Sequence, residues 1–455
     1  MRRLTYALCV LCIGCAEKDA QTWHAEAEAL LGDGALRALP PEIIVRAQHA
    51  EERALALDAS LVDAALNLAA LHEAQGAYEE ATARYRQLVE RYPDMGAAYA
   101  GLGFALAAQG RYSGAQRAYQ DALRRGERSA LLYARLGHAY AALGHVGEHL
   151  QSARAAYRAA LQIDSQLRDV HAHWARVEAR LGQRDEALAL YATALQVDPA
   201  DITARVELAS LYREMGQPQV GRGVLAEGVS VATDAAILHQ ELGRFAWEDG
   251  QVERALEHVE RALALDADLV LARRYVALIY SALGRYDEAL AAYAPLVDRQ
   301  PMDASIRVSI GIVHSQRGDW SQAEAAFKEA LALGGAGGDA ALKLGGLYVH
   351  RGRLRAAVNA FADGVAEHPS NAELHASLGD VYRQLGVLGA ALTAGEESVR
   401  LEPDRALWRY HLATTYERAN PDRAEAEWNR YIELARGDAR EAQRLSALEK
   451  ERVND

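Results

Sequence analysis

The chain reads as all-α, a solenoid of tandem helix pairs, and three observations predict this. A glycine recurs at Gly76, Gly110, Gly144, Gly182, Gly216, Gly250, Gly284, Gly318, Gly352 and Gly386; eight of the nine steps are 34 residues and one is 38. Seven residues before each glycine stands Gly or Ala, and five residues after it stands Gly or Ala again, with Ala153 in that place after the longer step. Large apolar residues flank both small positions, among them Leu68, Leu102, Leu136 and Trp174 on the first side and Tyr85, Tyr119, Tyr157, Tyr191, Tyr293, Phe327 and Phe361 on the second. A fixed period of this length marks supersecondary units that bury their apolar faces only by stacking.

Each element of the unit has its reason. Antiparallel helices approach closely only where the facing side chains are small, so the two Gly/Ala positions mark the crossing within a pair. The large residues fill the space around that crossing and reach toward the next pair. The period glycine supplies a left-handed residue at the end of the first helix, where a Cβ is penalised. Asn420, the usual second choice, stands where the next glycine would fall. Pro93, Pro199, Pro301, Pro369 and Pro403 stop second helices before the next unit begins.

On these residues the chain resembles the tetratricopeptide repeat (TPR) family, over roughly residues 62 to 436 in about eleven units. The resemblance implies a right-handed α-solenoid whose concave wall is made from the first helix of each pair, lined by the second, fifth, sixth, ninth, twelfth and thirteenth residues of each unit. Early units place small or apolar groups there: Leu66, Ala70, Ala100, Phe104 and Ala134. Middle units place His173, Arg176, Arg180, Glu207, Arg213, Arg244, Trp247, Arg274 and Tyr275, the candidate partner-binding groove. Arginines with interleaved aromatics suit an extended segment that carries carboxylates. The alternative is an ordinary solvated face, neutralised by Glu207, Glu241 and Glu248. The carboxylate clamp of chaperone-binding relatives needs Lys at the fifth position and Asn at the ninth. Ala172, Val206, Gln240 and Arg274 hold fifth positions here, and the ninth never holds Asn.

Taken in order, residues 1–14 read as an export signal: Arg2 and Arg3, an apolar run from Leu4 to Ile13 too short to span a bilayer, then Gly14. Gly14-Cys15 resembles the bacterial lipobox, which makes Cys15 the lipidation site, although Cys12 stands where that motif usually has Leu. Cys9, Cys12 and Cys15 are the three cysteines of the chain, so a mature form starting at Cys15 has no disulfide. Ala16 in place of Asp after the cysteine resembles lipoproteins sorted to the outer membrane. An ordinary signal peptide or short anchor is the alternative. Residues 15–27 read as the lipidated cysteine and a polar tether. Residues 28–61 read as a degenerate capping repeat broken by Pro40-Pro41, residues 62–437 as the solenoid, and residues 438–455 as a capping helix. Within the solenoid, the four extra residues fall near His145 to His149. Pro218, Gly221, Gly223 and Gly228 weaken the second helix of the unit at 202, and Gly334 to Gly338 join two units through a glycine-rich run.

Fifty basic against 63 acidic residues, a net charge of −13, argue against nucleic acid and against broad contact with anionic lipid. No phosphate-binding loop is present, and no cysteine follows residue 15 to make a metal spacing. His145-Val146-Gly147-Glu148-His149 matches the inverted zinc-protease pattern, but two glycines interrupt it and no third ligand is identifiable. His171 and His173 are two apart and face different ways on a helix. Catalytic residues, metal and cofactor are therefore expected to be none. The expectation is a non-enzymatic, lipid-anchored adaptor on the periplasmic side of the outer membrane, with a protein or peptide in its groove. The alternatives are a self-associating spacer and a metal-dependent hydrolase using His145 and His149.

Overall fold

The computed structural model describes residues 18–31, 39–144, 147–232 and 235–446. The residues so described are helices and short connections, an all-α solenoid of antiparallel helix pairs in chain order. The chain forms two compact units, Met1–Thr233 and Asp234–Asp455. In the first, α1 (Ala20–Leu31) pairs with α2 (Pro41–Leu57), α3 (Val62–Ala74) with α4 (Tyr78–Arg91), and α5 (Gly96–Ala108) with α6 (Tyr112–Arg124). There follow α7 (Ala130–Leu143) with α8 (Gly147–Ile163), α9 (Val170–Arg180) with α10 (Arg184–Val197), and α11 (Ile202–Glu214) with α12 (Pro218–Val231). The second unit repeats the plan: α13 (Ala236–Glu248) with α14 (Val252–Leu265), α15 (Val270–Ala282) with α16 (Tyr286–Arg299), and α17 (Ala304–Arg317) with α18 (Trp320–Ala332). It ends with α19 (Asp339–His350) and α20 (Leu354–Glu367), α21 (Ala372–Gln384) and α22 (Leu388–Leu401), and α23 (Ala406–Ala419) and α24 (Pro421–Ala435).

The small-residue crossing is where the core is tightest. A Cβ added at Gly103 would lie 2.5 Å from the ring of Tyr119, and one at Gly345 would lie 2.3 Å from the ring of Phe361. Gly137 against Tyr157 and Gly311 against Phe327 repeat the arrangement. The rings lie flat where the opposing helix offers no side chain, and Tyr119, Tyr157 and Phe327 are at most 2% exposed. Nine of the ten period glycines have φ between 68° and 88°. The amide following each of these bonds five residues back, as Ala77 N–H does to His72 O at 2.9 Å and Arg285 N–H to Tyr280 O at 2.8 Å. That closure satisfies carbonyls which the helix end leaves without partners.

Three expectations are corrected. Gly144 has φ −70°, outside the left-handed region, in the unit whose second helix, α8, runs to 17 residues. Asn420 has φ −157° and is extended, since Pro421 follows directly as the first residue of α24 and disfavours other conformations before it. The tether expected through residue 27 is helical from Ala20: α1 buries Ala27 and Leu31, and His24 Nδ1 meets the buried Glu51 carboxylate of α2 at 2.9 Å. The second helix of the unit at 202 is continuous, with Pro218 at its first turn, where no intrahelical N–H bond is lost, and Gly221 and Gly228 buried. Gly335–Gly338 of the glycine-rich run form one 3₁₀ turn. At the C-terminal end, Ala439–Glu441 form another, leading into helical residues 442–446. Residues 1–17, with Cys15, lie outside the described residues.

Two glycine substitutions therefore have opposite signs. Gly345→Ala drives a methyl into Phe361 and is expected to destabilise by about 1–3 kcal/mol. Gly223→Ala, exposed in α12 with nothing within 4 Å of the new Cβ, is expected to stabilise by about 0.5–1 kcal/mol. Urea unfolding of the two variants checks both signs.

Candidate functional site

In the first unit, three of the candidate residues, His173, Arg176 and Glu207, form one connected network. Arg176 on α9 donates from Nε to Glu207 Oε1 on α11 at 2.8 Å, bridging two repeats. Tyr191 O–H donates to the other oxygen of the same carboxylate at 3.0 Å. Arg176 also donates to His173 Nδ1 at 3.2 Å, and the His173 ring stands edge-on to His138, with centroids 4.2 Å apart. Burial, with His173 and the Arg176 and Arg135 guanidiniums nearby, pushes His138 down to about 3. Burial and Arg176 push His173 below its ordinary value as well, so the pair is held neutral. His171 is buried on the other side of α9. Trp174, expected as core filler, is half-buried, and its indole N–H bonds Glu178, which Arg154 also binds.

Arg180 is not presented to the groove. Its guanidinium reaches back to the carbonyls of Ala141 (2.9 Å) and Gly144, at the end of α7. Arg213, on α11, is half-buried. His145 lies outside the described residues, while His149 packs in the first turn of α8 near the Tyr140 ring. Among the described residues, no group of three His, Cys, Asp or Glu stands together as a metal site.

In the second unit, Arg244 donates to Glu241 at 2.8 Å and to Glu248 at 3.0 Å on its own helix, α13. Arg274 on α15 binds Asp303 and the Ser305 hydroxyl at the start of α17. Trp247 and Tyr275 are half-buried and pack against the core around Val259 and Val276. Thus Arg176, Arg244 and Arg274 each already hold a carboxylate.

The same groove positions, followed one and two repeats further, give residues that the candidate set omitted. Ile312, Ser315, Gln316, Leu342, Lys343, Gly346 and His350, with Trp320 and Phe327 behind them, line an apolar cavity of about 450 Å³. The next cavity, about 390 Å³, shares Gly346 and His350 and adds Val349, Ser377, Asp380, Trp408 and His411. The Trp320 and His350 rings meet at a 45° tilt with centroids 5.1 Å apart. Asp380 is bound by Arg383 and by Gln384 at 2.9 Å, and its hydrogen bonds outweigh burial to hold it well below the usual carboxylate range. Lys343, by contrast, is exposed and makes no ion pair with any described residue. The sixth and thirteenth positions of the unit from 338 were the available signal. It went unread because Lys343 and His350 stand among small and aliphatic neighbours rather than in a charged run.

Arg180→Ala is expected to destabilise the first unit by about 1–2 kcal/mol, because two carbonyls lose a charged donor. Urea unfolding measures this. Partner capture by the surviving folded protein should be unchanged.

Four family models, each described as tetratricopeptide repeat, match residues 63–94, 96–130, 206–270 with 277–341, and 315–381, together more than half of the chain. No curated protein matches the chain. Among solved structures, yeast Tom70 is 12% identical and aligns over 94% of this chain and 99% of its own, with a TM-score of 0.45. The APC/C hetero-tetramer Cut9-Hcn1 aligns at 16% identity over 94% of this chain and 95% of that one, with a TM-score of 0.38. A tetratricopeptide repeat protein from Parabacteroides merdae aligns at 15% identity over 57% and 98%, with a TM-score of 0.45. The family models fall on residues that carry the period glycines and the small-residue crossings, and the chain belongs to the tetratricopeptide repeat family.

Proposed function

We propose that this chain is a non-enzymatic adaptor that holds an extended segment of a partner protein along the inner faces of its first helices, anchored in the bacterial envelope by lipid on Cys15. Tetratricopeptide repeats support a protein-interaction scaffold. One observation favours a particular stretch: two adjoining cavities on successive first helices of the second unit, with an unneutralised lysine between apolar walls. An extended segment offers side chains at regular intervals, so one can enter each cavity in turn while a carboxylate meets Lys343. Arg176, Arg244 and Arg274 enter the proposal differently. Their carboxylate partners orient them, and a guanidinium with five donors retains some for a ligand. Arg213 remains a proposed contact, with His173 and Glu207 beside it on first helices of the first unit and Trp247 and Tyr275 proposed on first helices of the second. The lipobox resemblance at Gly14-Cys15 supports the anchor and an outer-membrane, periplasmic location. None of the described helices is long and apolar enough to cross a membrane.

The test is affinity capture from gently solubilised native membranes with three proteins: wild type, Lys343→Glu with Gly346→Leu, and Cys15→Ser. A partner recovered by wild type and lost with the double variant, at unchanged helix content, is the expected result. Equal recovery would remove the cavity assignment. Cys15→Ser is expected to move the protein from the membrane to the soluble fraction and to abolish acyl labelling. Membrane retention of that variant would overturn the anchor.

A further inference from the structure

The groove leaves one pair of side chains unexplained, inside the pair α13–α14. His239 Nδ1 and His258 Nδ1 face each other at 3.3 Å, each half-buried between the two helices. The two positions are fixed by backbone packing. His239 lies four residues before Gly243 and so on the same face of α13. A Cβ at Gly243 would come within 2.4 Å of Val259, the neighbour of His258, so the missing side chain at the crossing is what brings α14 near enough for the imidazoles to meet. Two nitrogens bound to one tetrahedral metal at about 2.0–2.1 Å lie about 3.3–3.4 Å apart, which is the separation found here.

We propose that His239 and His258 form a two-histidine chelate for a divalent d-block cation of the zinc, nickel or copper class. Imidazole suits these metals, and both ligands are held by rigid elements before the metal arrives. Among the described residues, no third His, Cys, Asp or Glu joins them. Water or a ligand from a partner completes the coordination. The charged groups around the pair are Glu257, Arg254 and Arg261. All three are exposed, so the two guanidiniums are largely screened at physiological ionic strength.

The experiment uses the full chain without an affinity tag, stripped with chelator and titrated calorimetrically with zinc alone and then nickel alone. One equivalent per chain is expected to bind. Either His239→Ala or His258→Gln should weaken that binding at least tenfold, while His145→Ala with His149→Ala leaves it unchanged. Absorption spectroscopy of the zinc-loaded wild type should show two imidazole nitrogens at about 2.0 Å, a readout that does not depend on the variants folding. No saturable binding by the wild type, equal binding by the His239 and His258 variants, or a spectrum without two imidazole nitrogens would each overturn the site. Loss of binding in the His145/His149 variant would assign the metal elsewhere and overturn it too.

Discussion

The close approach of two helices at a residue without a side chain is the constraint on which the rest of this molecule depends. Gly103, Gly137, Gly311 and Gly345 let a Tyr or Phe ring of the partner helix lie across the backbone itself. That contact sets the spacing within a pair, and the ring is buried against it. Once the spacing is set, the first helices of successive repeats fall side by side, and groove positions become a property of register alone. The same approach at Gly243 places His239 against His258. Core, groove and the histidine pair are thus consequences of one packing choice repeated along the chain.

The family shares this fold because its signature consists of positions whose side chains must be small, left-handed or large for geometric reasons. Such requirements show in single residues, which is why helix pairs, turns and crossings were legible before any coordinates. What was hidden depended on contacts between residues far apart in the chain. Arg180 looked like a groove arginine until its guanidinium was found on the carbonyls of Ala141 and Gly144, 39 and 36 residues earlier. Gly144 looked like every other period glycine, yet its φ is −70°, in the one unit with a 38-residue step. The part of helix α1 before residue 28 was read as a tether because its Ala and Glu residues carry a weak apolar signal. Its stability comes from α2, through Ala27, Leu31 and the His24–Glu51 contact.

Charge pairing changes the weight of the groove residues more than their positions do. The arginine-rich middle repeats attract attention in the sequence, but the carboxylates of Glu207, Glu241, Glu248 and Asp303 answer Arg176, Arg244 and Arg274 from within the chain. Their half-buried pairing holds each guanidinium in place. It also lowers their capacity to attract a distant acidic ligand. Lys343 stands in a quieter stretch with an apolar cavity beside it and no internal counter-ion among the described residues. A lone cation beside an apolar wall can discriminate between ligands, whereas a neutralised run of charge discriminates poorly.

The central claim is that a protein partner occupies the inner face. The most direct measurement is site-specific photocrosslinking in native membranes, with the photoreactive residue at 343 on that face or at the exposed position 325 on the second helix of the preceding pair. A discrete adduct from position 343 and none from position 325 is the expected result. Adducts of equal yield from both positions, or from 325 alone, would contradict an inner-face adaptor.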